Sequence, residues 1–182
     1  ASLFFHTGPR TGTRPQLTTH TMNFTLRPGE ALIWGWEDRN KYHGLWDRPK
    51  HLSNGQMFYT PDLTHFEKWA TNTKGWTTTP EGLQTKQSNA CLEVPIHSPY
   101  VAVGGKIHLV FQPGNSNAQL SIDLSRNNHD WHTIWTSEST DKQKTTIDLD
   151  PHFAPNTPAS YTYNLRLQAY IPENASDIVL KH

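Results

Sequence analysis

Leu120, Ile122 and Leu124 alternate with Ser121, Asp123 and Ser125, the two-residue period of a strand with one buried face and one wet face. Tyr161, Tyr163, Leu165 and Leu167 repeat that period farther along, so they are expected to share a face. Clusters of Gly, Pro, Asn or Asp divide the second half of the chain into runs. These predict strands over Leu92–Tyr100, Lys106–Gln112, Ala118–Ser125, Trp131–Thr136, Thr145–Leu149, Ser160–Tyr170 and Asp177–Leu180. In the first half, Met22 to Trp36 holds two short apolar-rich runs joined at Arg27-Pro28-Gly29-Glu30. Pro presets φ there and Gly admits a positive φ, which predicts strand, turn and strand. From about Glu37 to Gln87 the alternation fades, except that Leu63, Phe66 and Trp69 recur every three residues after Pro61-Asp62. One short helix is predicted there, inside a long loop region. Strands at near-regular spacing without helical crossovers predict an all-β chain, an antiparallel two-sheet sandwich of jelly-roll or galactose-binding-like form, folded as a single domain over residues 1–182.

Composition agrees with that picture. The chain has 182 residues, of which only 34% are hydrophobic, so much of it must run through turns and polar strand faces. Sixteen basic residues balance 16 acidic ones with no run of one sign. The long-range field that would collect nucleic acid or an anionic membrane is missing, and neither is an expected partner. No run of about 18 apolar residues is present. The chain opens Ala-Ser-Leu-Phe-Phe without a Met, as a processed or excised protein would, and a secreted or periplasmic location is expected. Asn23-Phe24-Thr25 and Asn174-Ala175-Ser176 match the glycosylation acceptor pattern, which is too short to say much about the source. Cys91 is the lone cysteine, cannot form an internal disulfide, and reads as a small buried hydrophobe.

Tryptophan carries the sharpest hint of chemistry. Seven are present, and Trp34, Trp36, Trp131 and Trp135 fall in predicted strands, where core packing is the simpler expectation. Trp46 and Trp76 lie in loop-like text rich in Gly, Asp, Asn and Thr, where an open ring is as reasonable as a packed one. Sugar rings present apolar C–H faces that stack on indole, while neighbouring amide, carboxylate and guanidinium groups bond the hydroxyls. Twelve residues from Glu37 to Arg48 mix these side-chain types most densely. Trp46, Trp76 and Tyr42 are therefore the candidate stacking groups, with Arg39, Asp47 and Asn54 as hydroxyl partners. The same stretch could equally be a solvated loop with internal salt bridges. Tyr42 beside His43 with Arg39 nearby also offers the groups a polysaccharide lyase uses to neutralise a uronate and abstract its proton.

Eleven histidines are scattered, with no His-x-His and no His-Glu-x-x-His; His129 and His132 are the one close pair, and surface histidines are the simpler reading. No cofactor is required by any motif, while a structural calcium held by loop carboxylates and carbonyls would leave no motif and stays compatible with the chain. Phosphate-loop, dinucleotide and nucleophile-elbow patterns are missing.

Phe24-Thr25-Leu26-Arg27-Pro28-Gly29-Glu30 followed by Trp34-Gly35-Trp36 resembles the openings of β-sandwich regions in large secreted bacterial enzymes that degrade polysaccharides. Ser121-Ile122-Asp123-Leu124-Ser125, then His129-Asp130-Trp131 and Tyr161-Thr162-Tyr163-Asn164-Leu165-Arg166-Leu167, resembles the second half of galactose-binding-like and related carbohydrate-binding modules. The Ser-to-Trp hairpin is also similar to the Asp-box of sialidases, with different spacing and without its Gly. The resemblance implies a non-catalytic sandwich that binds a polysaccharide and is attached to, or works beside, a glycan-active enzyme. The rival expectations are a polysaccharide lyase or metal-dependent carbohydrate-active enzyme on the same sandwich, and an adhesion module that recognises protein.

Overall fold

A computed structural model of the chain describes residues 4–5, 16–17, 25–33, 56–98, 102, 104–112, 118–137, 143–153, 160–172 and 178–181. In chain order the strands are β1 (Phe4–Phe5), β2 (Gln16–Leu17), β3 (Glu30–Ile33), β4 (Gln56–Tyr59), β5 (Trp76–Thr79), β6 (Gly82–Thr85), β7 (Asn89–His97), β8 (Lys106–Gln112), β9 (Gln119–Ser125), β10 (His132–Thr136), β11 (Gln143–Asp148), β12 (Thr162–Tyr170) and β13 (Val179–Leu180). Short 3-10 turns occupy Leu63–Lys68 and Asp150–His152. Every strand pairing among the described residues is antiparallel. The chain is all-β: a four-stranded sheet in the order β10-β9-β12-β7, a five-stranded sheet in the order β11-β8-β13-β6-β5, and the two-stranded ladders β1-β2 and β3-β4.

From β7 onward the strands switch between the two larger sheets at each step except β9 to β10, which are neighbours in one sheet, and the alternation in the strands decides what each sheet hides. Ala90, Leu92, Val94 and Ile96 of β7, Leu120, Ile122 and Leu124 of β9, and Leu165 and Ala169 of β12 are buried. They join Trp76, Leu83, Leu109, Phe111, Ile147 and Leu180 of the five-stranded sheet in one hydrophobic cluster. Phe111 and Trp135, from opposite sheets, meet edge to face with ring centroids 5.7 Å apart. Trp135 turns inward because β10 carries a bulge: Thr133 faces Asp123 and Trp135 faces Ile122, so one extra residue is absorbed between them.

The sequence and the fold agree best where alternation is strong. β8 has its expected bounds, and β9, β10 and β12 differ from theirs by one or two residues at one end. Tyr163, Leu165 and Leu167 pack toward the core, whereas Tyr161 precedes β12 and is exposed. Asp123 and Ser125, expected on a wet face, are buried under neighbouring side chains.

Two expectations change in the first half. Arg27 to Glu30 does form a turn: the Glu30 amide donates to the Arg27 carbonyl at 3.0 Å, and Gly29 has φ +85°. After the turn, β3 pairs with β4, while Thr25 to Arg27 before it are not in a strand and Met22 to Phe24 lie outside the described residues. Within the expected long loop region, the helical signal is a 3-10 turn whose Asp62 side chain accepts from the Thr64 amide at 2.9 Å. Strands β4, β5 and β6 also lie there. β6 escaped notice because its core positions are Leu83 and Thr85, and Thr85 is a polar residue whose hydroxyl accepts from the Ile178 amide at 3.0 Å. No helix among the described residues is long and apolar enough to cross a membrane.

Candidate functional site

The outward positions of β7, β12 and β9 lie side by side because the register of β12 is fixed on both flanks. Tyr170 stands between Asn89 and Gln119, Gln168 between Cys91 and Ser121, and Arg166 between Glu93 and Asp123. Strands about 4.8 Å apart, with same-face residues roughly 7 Å apart along each, make this a small grid of polar side chains. At the Tyr170 end the grid opens into a depression of about 320 Å³, lined among others by Lys74, Asn89, Gln119, Ser121, Gln168 and Tyr170. Lys74 is brought in by the segment before β5, whose carbonyl at Lys74 accepts from the Cys91 amide at 2.8 Å. Close approach there depends on Gly75, with φ +76°, where a Cβ would come within 2.9 Å of the Ala90 Cα.

Asp123 holds the other end together. Its Oδ2 accepts from Arg166 Nε (3.0 Å), Arg166 Nη2 (2.8 Å) and Gln168 Nε2 (3.0 Å), and its Oδ1 accepts from Thr133 Oγ1 (2.7 Å). A carboxylate that is only 4% exposed needs such partners, and here it has a cation that donates twice and two further donors. Arg166 in turn covers the ring of Trp131, with its guanidinium carbon 4.1 Å from the ring centroid. The floor beside the depression is thus built from charges that satisfy one another. Cys91 is half-buried in the lining, and burial, with a smaller push from Glu93, raises its thiol above the ordinary value. The thiolate is correspondingly scarce, and a nucleophilic reading is disfavoured.

Of the six residues picked out from sequence, Trp76 is placed in the core at 6% exposure, with no hydrogen-bond partner for its buried indole nitrogen. That corrects the expectation of an open ring at this position: β5 pairs with β6, and its first side chain faces inward with Leu83. Arg39, Tyr42, Trp46, Asp47 and Asn54 lie outside the described residues, as do His43, Trp34 and Trp36. Their segment joins Ile33 to Gln56, which are paired across β3 and β4. Trp69 is partly buried, its ring edge to face with Tyr59 at 6.3 Å.

The polar residues around His129 serve a turn. Asn127 Oδ1 accepts from the amides of His129 (3.0 Å) and Asp130 (2.9 Å), its Nδ2 donates to Asp130 Oδ2 (2.6 Å), and Asn128 has φ +63°. Among the described residues no group of three or more His, Cys, Asp or Glu comes together as a metal site would require.

Reading from sequence missed Tyr170, Gln168, Gln119, Asn89, Ser121 and Lys74. Each was visible as a polar or aromatic position on a strand or beside one, but their convergence depends on long-range pairing, from Gln168 with Ser121 to Tyr170 with Asn89, 47 to 81 residues apart in the chain. No protein-family model matches this chain, and no curated protein matches it.

Proposed function

We propose that this domain binds a polysaccharide, without catalysis, on the outward face of the four-stranded sheet. The observation that carries the reading is Tyr170: it is 53% exposed and stands at the mouth of a depression whose other polar side chains are amides, a hydroxyl and one ammonium group. A sugar ring has the matching chemistry, with an apolar face for the phenol ring and hydroxyls for the amides. Stacking one ring adds on the order of 1 kcal/mol beyond the area it buries, so a site of this size fits affinities of roughly micromolar to millimolar. Weak attachment suits a module that works beside a glycan-active enzyme in a secreted or periplasmic setting, where several weak contacts add up.

The test is affinity electrophoresis through gels containing xyloglucan, galactomannan, laminarin or polygalacturonate. Retardation in at least one gel, abolished by Tyr170→Ala and with no new reducing ends or unsaturated products, is the expected result. Migration unaffected by every gel removes the glycan reading, and product formation replaces it with an enzymatic one.

A further inference from the structure

The orientation of one amide in this face is settled by chemistry. A carboxylate only accepts hydrogen bonds, so the end of Gln168 that lies 3.0 Å from Asp123 Oδ2 has to be the nitrogen. The usual ambiguity between amide oxygen and nitrogen is therefore removed. Asp123 cannot swing away to release it, because the same carboxylate is held by Arg166 Nε and Nη2 and by Thr133 Oγ1 and is buried. One N–H of the amide is spent on Asp123, which fixes the carbonyl oxygen on the other branch, and Gln168 is among the residues that line the depression.

We infer that Asp123 is a positioning residue that fixes Gln168 as a hydrogen-bond acceptor, so that the depression selects a sugar hydroxyl able to donate over an ether oxygen at the same place. This rests on the glycan reading above and adds a direction to it. A hydroxyl both donates and accepts, whereas its methyl ether only accepts, so the two ligands separate an acceptor wall from a donor wall. Replacing Asp123 with Asn supplies a side chain that both donates and accepts. Gln168 can then turn over and present its nitrogen, which a hydroxyl and an ether satisfy equally well.

The experiment compares retardation by whichever of the four polysaccharides binds best with retardation by its O-methylated form, for the wild-type chain, Gln168→Met and Asp123→Asn. The wild type is expected to prefer the unmodified polysaccharide by about tenfold, the equivalent of one hydrogen bond. Gln168→Met, which keeps the length and loses the carbonyl, is expected to bind the unmodified form about tenfold more weakly with the Tyr170 contact intact. Asp123→Asn is expected to narrow the preference toward one. If circular dichroism shows that Asp123→Asn does not fold, the Gln168→Met comparison decides. A wild type that binds both forms equally, or a Gln168→Met variant that binds as the wild type does, overturns the inference and leaves glycan binding standing. A wild type retarded by no polysaccharide takes down both.

Discussion

The guanidinium carbon of Arg166 sits 4.1 Å from the centroid of the Trp131 ring, while the same group donates through Nε and Nη2 to Asp123 Oδ2. The ring covers one side of the cation and the carboxylate takes its edge, so residues from β9, β12 and the position just before β10 are fastened together on the outside of the sheet.

Removing the carboxylate is expected to be the most damaging change in this group. Asp123→Ala leaves the partly buried Arg166 and the amide of Gln168 without their shared acceptor, at a cost of about 3 kcal/mol. Trp131→Ala forfeits a cation–π contact worth about 1 kcal/mol. Urea unfolding should therefore rank the two variants in that order, and equal midpoints for Asp123→Ala and wild type would show that the carboxylate holds nothing.

Phe111 and Tyr170 offer a sharper contrast. Phe111 is fully buried and carries the edge contact to Trp135 across the core, so Phe111→Ala is expected to cost about 3 to 5 kcal/mol. Tyr170 is exposed at the rim, and Tyr170→Ala should change stability by less than about 0.5 kcal/mol while abolishing retardation in the polysaccharide gel. Thermal melts and gels run on the same samples check both halves.

Acid should weaken the cap of the first 3-10 turn. Hydrogen bonds from the Thr64 hydroxyl and then from His65 hold the Asp62 carboxyl down at about 2, against an ordinary value of 3.8. Because the folded value is the lower one, the cap's contribution is full above pH 3.8 and is lost as pH falls toward about 2. The carboxyl resonance of Asp62, followed by NMR, should titrate with a midpoint near 2, and Asp62→Asn should flatten the pH dependence of stability in that window.

Cys91 supplies a reporter inside the depression. Its raised thiol should react with a disulfide reagent at pH 8 more slowly in the folded chain than after urea unfolding, since the thiolate is the attacking form. Adding the polysaccharide that retards the chain should slow the reaction further. A folded rate equal to the unfolded one would show that the thiol is neither buried nor perturbed.

What could be read from the sequence followed the strength of local periodicity. Leu120, Ile122 and Leu124 announced β9 and its inner face without help, because burial on one face writes itself into every second residue. Thr85 hid β6, since a hydroxyl satisfied inside the core looks like a surface residue in one dimension. Trp76 was misjudged for a related reason: its neighbours Gly75, Thr77, Thr78 and Thr79 read as loop text, whereas pairing with Thr85 and Leu83 makes them a sheet edge over the core. The candidate site was beyond local reading, because Asn89, Gln119 and Tyr170 become neighbours only through two separate long-range pairings.

β12 is gripped on both sides, by β7 and by β9, with Leu165 and Ala169 turned inward while Arg166, Gln168 and Tyr170 face out. Sliding it by a single residue would exchange those two sets, exposing the leucine and burying the arginine in one stroke. Substitution at positions 166, 168 and 170 can therefore change what the outer face presents one residue at a time, whereas an insertion or deletion within the strand would disrupt the outer face and the hydrophobic packing together.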